Sequence, residues 1–199
     1  KVIPRVAGEW RKYLGDESLP FGLIVPPGSE LNTLGQHHRE MRELQRVTAA
    51  DLPDVGIILP GTEHIPFSAQ PTDEALLADR SLQWLNGAVY EKPNTPVSGP
   101  DFEKFESNYN VATIYYKEGT AEGLTANEDA LDYFEAADVE GDYVPAKASI
   151  EGDTVRLVAE DIARIARVRY NWKRQPDQGL VNAAGLPAIP FRSERAPYH

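Results

Sequence analysis

Cysteine is absent from this 199-residue chain, and only one methionine and four histidines are present. Without cysteine the chain has no disulfide, no thiolate nucleophile and no cysteine-ligated zinc. It also lacks any run of about 18 apolar residues, so the sequence predicts no membrane-spanning helix. No secretory leader is recognisable, and because the first residue is a lysine we expect sequence upstream of it to be missing.

Positive charge is scarce as well. The chain has 20 Lys and Arg against 31 Asp and Glu, which gives a formal net charge of −11 at pH 7. Binding to nucleic acid needs clustered basic residues, so this class of partner is excluded. An anionic ligand would be repelled at long range unless arginines gather at its site. Neither a phosphate-cradling glycine loop nor a Gly-x-Ser-x-Gly motif is present, and we expect no cofactor and no metal.

Residues 1–92 alternate strand and helix signals. Residues 21–25 and 55–59 are continuous apolar runs that end at prolines, a pattern typical of parallel strands covered on both faces. A polar segment at 36–47 predicts a helix between them. A second helix is predicted from an apolar stripe formed by Ala75, Ala78, Leu82, Leu85 and Val89. The fold class is therefore α/β, and since two strands are too few for such a sheet, we expect more of it elsewhere.

Residues 93–199 have a different pattern. A proline-rich break precedes short β-branched segments at 111–117, 144–146 and 154–158, separated by turn signals. From Ala166 to Trp172 apolar and polar residues alternate, as in a half-buried antiparallel strand. These features predict a small antiparallel β-sandwich at 93–199. The acidic, alanine-rich residues 118–142 are predicted to form a solvated surface.

His64 is the first candidate for chemistry, because it follows the second predicted strand directly. In open α/β sheets, sites gather outside the carboxyl ends of the strands. A histidine at such a position can act as the general base that takes a proton from a serine hydroxyl. Position alone favours a surface-loop histidine. Ser29 follows the first predicted strand in the same way, and a turn serine is the simpler interpretation.

The remaining candidates have simpler structural interpretations. His37 and His38 are neighbours at the start of a predicted helix, so their side chains point apart and do not chelate. Adjacent acidic residues are more typical of helix ends and solvated surfaces than of metal or glycosidase chemistry. Aromatic residues that could stack on a sugar are more often core residues. The acidic pairs are Asp73/Glu74 and Glu128/Asp129, and the aromatic candidates are Tyr115, Tyr116, Trp10, Trp84 and Trp172.

The end of the chain resembles the C-terminal signature of sialate O-acetylesterases. Val168-Arg-Tyr-Asn-Trp172 is similar to the family's V-R-Y-x-W strand, and residues 180–192 are similar to its N-x-x-G-L-P-A-x-P-F-R stretch. Further similar motifs follow the family's order along almost the whole chain. They are Glu9-Trp-Arg-Lys12 with Leu19-Pro-Phe21, Arg42-Glu-Leu-Gln45, Leu52-Pro-Asp-Val-Gly56, the helix from Ala78 to Tyr90, Val97-Ser-Gly-Pro100 and Ile150-Glu-Gly-Asp-Thr-Val155.

The resemblance implies a carbohydrate O-acetylesterase of the SGNH-hydrolase type. Residues 1–92 would be the C-terminal part of its three-layer α/β/α domain, and residues 93–199 its β-sandwich. Such enzymes remove acetyl groups from sialic acid or related sugars, and a secreted, periplasmic or lysosomal location is implied. The serine and the oxyanion donors belong to an N-terminal part that this chain does not contain. That part would be an N-terminal segment or a second chain of the same protein.

His64 matches the family's late catalytic histidine, and this match favours the base role over the surface-loop role. The family places an aspartate two or three residues before the histidine, whereas this chain reads Gly61-Thr-Glu-His-Ile-Pro66. Glu63 is then the candidate for orienting the imidazole, unless the acid comes from the missing part. A degraded triad would instead make the chain a non-catalytic pseudo-esterase that binds glycans or serves in an assembly. A neutral acetylated sugar such as a xylan-type ester competes with sialic acid as substrate.

Overall fold

The computed structural model of the chain describes residues 2–25, 35–60, 71–93, 95–127, 129–173 and 178–194. The chain divides into two compact units. The first comprises Lys1–Pro27 and Met41–Ser98, and the second comprises Gly28–Glu40 and Gly99–His199. Helices and a parallel strand pair occur in the first unit, and antiparallel sheets in the second. The α/β class expected from the sequence is confirmed, while the three-layer arrangement and the boundary after residue 92 stay predictions.

The first unit contains a short parallel sheet. Its elements are α1 (Val2–Leu14), β1 (Phe21–Ile24), α2 (Gly35–Asp51, in this unit from Met41), β2 (Val55–Ile58) and α3 (Pro71–Trp84), which continues as a π-helical turn (Leu85–Val89). β1 and β2 pair in parallel, with Phe21 opposite Val55 and Ile24 opposite Ile58. The apolar runs thus predicted both strands and their direction. None of the described helices is long and apolar enough to cross a bilayer.

Two glycines in this sheet make room for a tryptophan. Gly22 and Gly56 are direct neighbours across the two strands. The indole of Trp84, which is 7% exposed, covers both of them. A methyl group at Gly22 would lie 3.2 Å from Cζ3 of Trp84, and one at Gly56 would collide with the indole nitrogen. Because neither glycine has a side chain, a slot is left over the two strands, and Trp84, the last residue of α3, fills it.

This slot sets the orientation of α3. Leu77, Arg80, Ser81 and Trp84 form the covered face of the helix, whereas Leu82 on the opposite side is 55% exposed. The predicted apolar stripe through Ala75, Ala78 and Leu82 is wrong as a buried face, since all three residues are exposed. The hydrophobicity of the side chains alone does not show which face of α3 is buried. The packing of the large indole of Trp84 against the two glycines decides which face turns inward.

The second unit is an antiparallel β structure. One four-stranded sheet has the order β12-β10-β6-β7, a second has the order β3-β4-β9-β8, and β5 pairs with β11. The bounds are β3 Phe102–Asn108, β4 Val111–Tyr116, β5 Thr125–Ala126, β6 Phe134–Ala137, β7 Val144–Pro145, β8 Lys147–Glu151, β9 Thr154–Val158, β10 Arg167–Tyr170, β11 Leu180–Val181 and β12 Phe191–Arg192. The expected antiparallel pairing is confirmed, including the alternation along β10, where Val168 and Tyr170 are fully buried.

Both four-stranded sheets contribute to one core in this unit. Phe102 of β3 stacks on Phe191 of β12 with ring centroids 4.1 Å apart, and Phe134 of β6 lies 4.5 Å from Tyr170 of β10. Because aromatic side chains contribute large buried areas and prefer such offset contacts, this cluster joins the two sheets.

The acidic segment 118–142 is exposed in part, as at residues 138–142, but the prediction of a solvated surface is wrong for residues 134–137. Phe134–Ala137 forms β6, an inner strand between β10 and β7. Phe134, Ala136 and Ala137 have no exposed area. The outward-facing Glu135 pairs with Arg169 through two hydrogen bonds of 2.7 Å. Small alanines fit beneath the packed aromatic rings, and their low hydrophobicity concealed the strand among acidic neighbours.

A tight turn explains one of the motifs behind the family resemblance. The Oδ1 atom of Asn182 accepts hydrogen bonds from the backbone N–H groups of Ala184 and Leu186, both at 3.1 Å. Its Nδ2 group donates to the carbonyl of Thr120 at 3.0 Å. Gly185 has φ of 72°, a conformation that favours glycine. The asparagine and glycine of the N-x-x-G-L-P stretch therefore build the fold of the second unit.

Candidate active site

The carboxyl ends of β1 and β2 form the candidate site edge in the first unit. The parallel register continues past the strands, since the N–H of Val25 donates to the carbonyl of Ile58 at 3.1 Å. The two strands therefore end side by side. The last described residues at this edge are Val25 and Pro60. Ser29 follows Val25 by four residues in the sequence, and His64 follows Pro60 by four residues. Such an edge is where ligands bind in open α/β sheets.

Arg80 of α3 binds the backbone directly after β2. Its Nη1 group donates to the carbonyl oxygens of Leu59 at 2.8 Å and Pro60 at 2.9 Å. Burial lowers the pKa of Arg80, because a charged guanidinium loses hydration there. The hydrogen bonds hold the last described residues before His64 against α3. Arg80 was not among the residues predicted from the sequence. Its position on the helix that follows β2 was the available indication that it could contact the end of that strand.

The predicted catalytic residues themselves lie outside the described residues. His64 and Glu63 belong to residues 61–70, and Ser29 belongs to residues 26–34. His199, Glu128 and the side chains of His37 and Asp73 are also outside them. The base role of His64 and the orienting role of Glu63 therefore stay predictions.

A buried ionic centre lies on α2 within the first unit. Glu43 is 2% exposed and accepts two hydrogen bonds from Arg46, at 3.0 Å from Nε and 2.8 Å from Nη2. Arg42, next to this pair in sequence, is also buried. Buried charges need partners of opposite sign, and the bidentate geometry meets that need for Glu43. The Arg42-Glu-Leu-Gln45 motif was recognised only as a family resemblance; Arg46, three residues after the glutamate, was the signal for an ion pair.

An arginine lies over Trp172 in the second unit. The guanidinium carbon of Arg192 is 5.1 Å from the centroid of the tryptophan ring, and Arg39 donates to the carbonyl of Trp172 at 3.4 Å. The Nε and Nη2 atoms of Arg192 are buried and have no hydrogen-bond partner among the described residues. On the neighbouring strand Arg169 is neutralised by Glu135. Of the predicted sugar-stacking residues, Trp172 thus already carries a cation on its ring.

The other candidates separate into core and surface. Trp84 and Tyr116 are buried, as the simpler interpretation predicted, whereas Trp10 is exposed on α1. Tyr115 is half-buried beside the ammonium group of Lys104, 4.9 Å from its ring centroid. His38 is half-buried, and its Nδ1 atom has no hydrogen-bond partner in the part of the chain that the structure describes. Glu74 and Asp129 are exposed. Within the described ranges no three His, Asp or Glu side chains form a group that could hold a metal ion.

The chain is similar to a solved structure of known activity. It matches a carbohydrate acetylesterase from Xanthomonas citri with a TM-score of 0.82 and 25% sequence identity. The match covers 96% of this chain and 44% of that chain, so this chain spans less than half of the esterase. No protein-family model matches the chain, and no curated protein matches it.

Proposed function

We propose that this chain is the histidine-bearing part of a carbohydrate O-acetylesterase. The observation that carries the proposal is the structural match to a carbohydrate acetylesterase over 96% of the chain. The sialate O-acetylesterase motifs in the sequence support the same chemistry and add the SGNH-type three-layer domain. Two parallel strands that end at one edge, with an arginine holding the exit toward His64, are the framework that such a site needs.

The reaction is acyl transfer. A serine oxygen attacks the carbonyl carbon of the acetyl ester while His64 takes the hydroxyl proton. The tetrahedral intermediate collapses when His64 gives this proton to the departing sugar oxygen. Water, deprotonated by the same imidazole, then attacks the acetyl-serine and releases acetate. Glu63 or an acid from another segment holds the tautomer of the imidazole and stabilises its charged form.

The serine and the oxyanion donors come from polypeptide outside this chain, either an N-terminal segment or a second chain of the same protein. The substrate class is an acetylated sugar. A net charge of −11 favours a neutral sugar over an anionic sialic acid at long range. An exported location belongs to the same proposal.

Acetate release from an O-acetylated sugar tests this function. The complete protein, with all polypeptide that accompanies this chain, is compared with its His64→Ala variant. Loss of the base is expected to reduce kcat by about 10⁴-fold or more, since the triad acts as a unit. Glu63→Gln is expected to reduce it strongly only if Glu63 is the orienting acid. Unchanged turnover in His64→Ala would show that the assignment of the base is wrong.

The isolated 199-residue chain is the matched control, and we expect no hydrolysis from it. If it does release acetate and Ser29→Ala abolishes the activity, the nucleophile lies within this chain. Binding of an acetylated glycan by the complete protein without any turnover would instead identify the pseudo-esterase, the alternative that the missing aspartate before His64 favours.

A further inference from the structure

The two units differ in how well they bury their apolar side chains. Fourteen large hydrophobic residues are exposed among the described parts of the chain, and twelve of them belong to the first unit. In the second unit the two exceptions are Tyr109 and Val139. The aromatic and aliphatic core cluster also lies wholly in the second unit. The exposed apolar residues are therefore concentrated in the first unit, and a contiguous group of them would mark an interface.

α1 carries the clearest part of this surface. Ala7 is the buried residue on the inner side of the helix. Val2, Val6, Trp10 and Tyr13, spaced by four, four and three residues, form a continuous stripe beside it. Val2 is 75% exposed and Tyr13 is 81% exposed. The rings of Trp10 and Tyr13 meet edge to face with centroids 6.4 Å apart. We call these four residues the α1 stripe.

The parallel sheet of the same unit is also incomplete. Among the described strands it contains only β1 and β2, so each strand has one edge without a neighbour. Ile24 of β1 is 50% exposed. Parallel sheets are normally covered on both faces and contain more strands than two. Further polypeptide packed against the first unit would therefore cover both the open sheet edges and the α1 stripe.

We propose that the α1 stripe is the docking surface for the polypeptide that completes the parallel sheet and carries the serine nucleophile. This inference rests on the proposed function. The occupant follows from the comparison, because 56% of the matched acetylesterase has no counterpart in this chain (100 − 44). Half of the twelve exposed apolar residues of the first unit lie on α1 or β1, whereas the second unit already encloses its core.

Charged substitutions in the stripe give a sharp test. Val6→Lys combined with Trp10→Lys is introduced both in the 199-residue chain and in the complete protein, and thermal unfolding is followed by circular dichroism. In the 199-residue chain these positions face water, so Tm is expected to change by no more than about 1–2 °C. In the complete protein the lysines would be buried without partners, and Tm is expected to fall by about 5 °C or more. Val139→Lys, at a position of the second unit that is 76% exposed, is the control and should change neither.

Hydroxyl-radical footprinting of Trp10 supplies a second readout that does not depend on activity. We expect its oxidation rate to be at least about fivefold lower in the complete protein than in the 199-residue chain, since side chains at an interface core are shielded from solvent. Equal oxidation, or equal Tm shifts in both forms, would refute the docking surface. So would dimerisation of the 199-residue chain that Val6→Lys with Trp10→Lys abolishes, because a second copy would then occupy the stripe.

The two proposals fail separately. If Trp10 is protected and the complete protein releases no acetate, docking stands and the esterase function falls. If His64→Ala abolishes acetate release while Trp10 stays accessible, the function stands and the docking surface is wrong. A native mass equal to the 22.1 kDa of this chain would overturn the docking surface. Acetate release by that same material would still support an esterase, with its serine inside the chain.

Discussion

Trp84 packs against the backbone of Gly56, and its indole nitrogen occupies the space where a β-carbon at that position would stand. Gly56→Ala is therefore expected to displace the tryptophan and to destabilise the fold by about 2–3 kcal/mol, the cost of overpacking a filled site. Urea unfolding followed by circular dichroism measures this loss. A second substitution, Trp84→Leu, should recover part of it in the double variant, because it removes the colliding ring.

Gly8 provides the opposite result as a control. It lies within α1, and a β-carbon there meets no other atom within 4 Å. Gly8→Ala is expected to stabilise the helix by about 0.5–1 kcal/mol. If Gly56→Ala were equally stabilising, Trp84 would not occupy the slot between the two glycines.

The buried pair of Glu43 and Arg46 makes a second prediction. Glu43→Gln leaves the guanidinium of Arg46 without its bidentate carboxylate, and we expect a loss of about 3 kcal/mol in the free energy of unfolding. A double variant, Glu43→Leu with Arg46→Leu, should be more stable than the single one, because neither charge then stays buried alone. Denaturant unfolding of the wild type, Glu43→Leu, Arg46→Leu and this double variant gives the coupling energy directly.

A matched surface pair serves as the control for this cycle. Lys147 and Glu160 also form an ion pair, but their side chains are 76% and 66% exposed. Glu160→Gln is expected to leave the unfolding midpoint unchanged, since solvent screens such pairs. A loss at Glu160 as large as that at Glu43 would contradict the role assigned to burial.

Tyr116 makes a pH-dependent prediction. Burial raises the pKa of Tyr116 well above its ordinary value, and the neighbouring Tyr170 adds to the shift. An unfolded tyrosine ionises near pH 10, whereas folded Tyr116 stays neutral there. Its contribution to stability is thus fully present below pH 10 and is lost as pH rises through the folded pKa. In Tyr116→Phe the free energy of unfolding should therefore fall less steeply as the pH rises above 10.

At neutral pH the same substitution is expected to stabilise the protein by about 1 kcal/mol. The Tyr116 hydroxyl is buried and has no hydrogen-bond partner within the described structure, so its removal relieves a desolvation cost. Tyr109→Phe, which removes a hydroxyl from an exposed ring, should leave stability unchanged. A loss of stability in Tyr116→Phe would mean that the hydroxyl makes a favourable interaction.

Arg80 makes a prediction about catalysis. Arg80→Gln removes the two hydrogen bonds to the carbonyls of Leu59 and Pro60, which lie just before the segment that carries His64. If that exit positions the base, kcat of the complete protein should fall by about 10–100-fold, since small misplacements are costly, while KM changes less. Arg164→Gln, at an exposed arginine of the second unit, is the control and should leave kcat unchanged.

Sequence reasoning found the elements whose signal is local. The apolar runs at β1 and β2 and the alternation at β10 predicted strands, and the structure confirms all three. β6 was missed because Ala136 and Ala137 are small, and the aromatic rings that require small neighbours lie far away in sequence. The buried face of α3 was assigned to the wrong side because the slot at Gly22 and Gly56 forms only when the strands pair.

In the candidate site, too, features with a local sequence signal were predicted, and features that depend on distant contacts were not. The family resemblance and the position after β2 pointed to His64, whose role stays a prediction, and the structure describes the paired strand ends and Arg80 that precede and follow its segment in sequence. Arg80 could not be found by motif, since its partners are backbone carbonyls, which carry no side-chain signature. The Asn182 turn shows the converse: a motif that suggested family identity has a purely structural role in this fold.

The uneven burial of the two units has a consequence in the cell. A copy of this chain without its cover would display the α1 stripe and the open sheet, which are surfaces that chaperones and proteases recognise in incompletely assembled proteins. An assembled copy would hide them. We therefore expect limited proteolysis of the 199-residue chain to cut the first unit before the second.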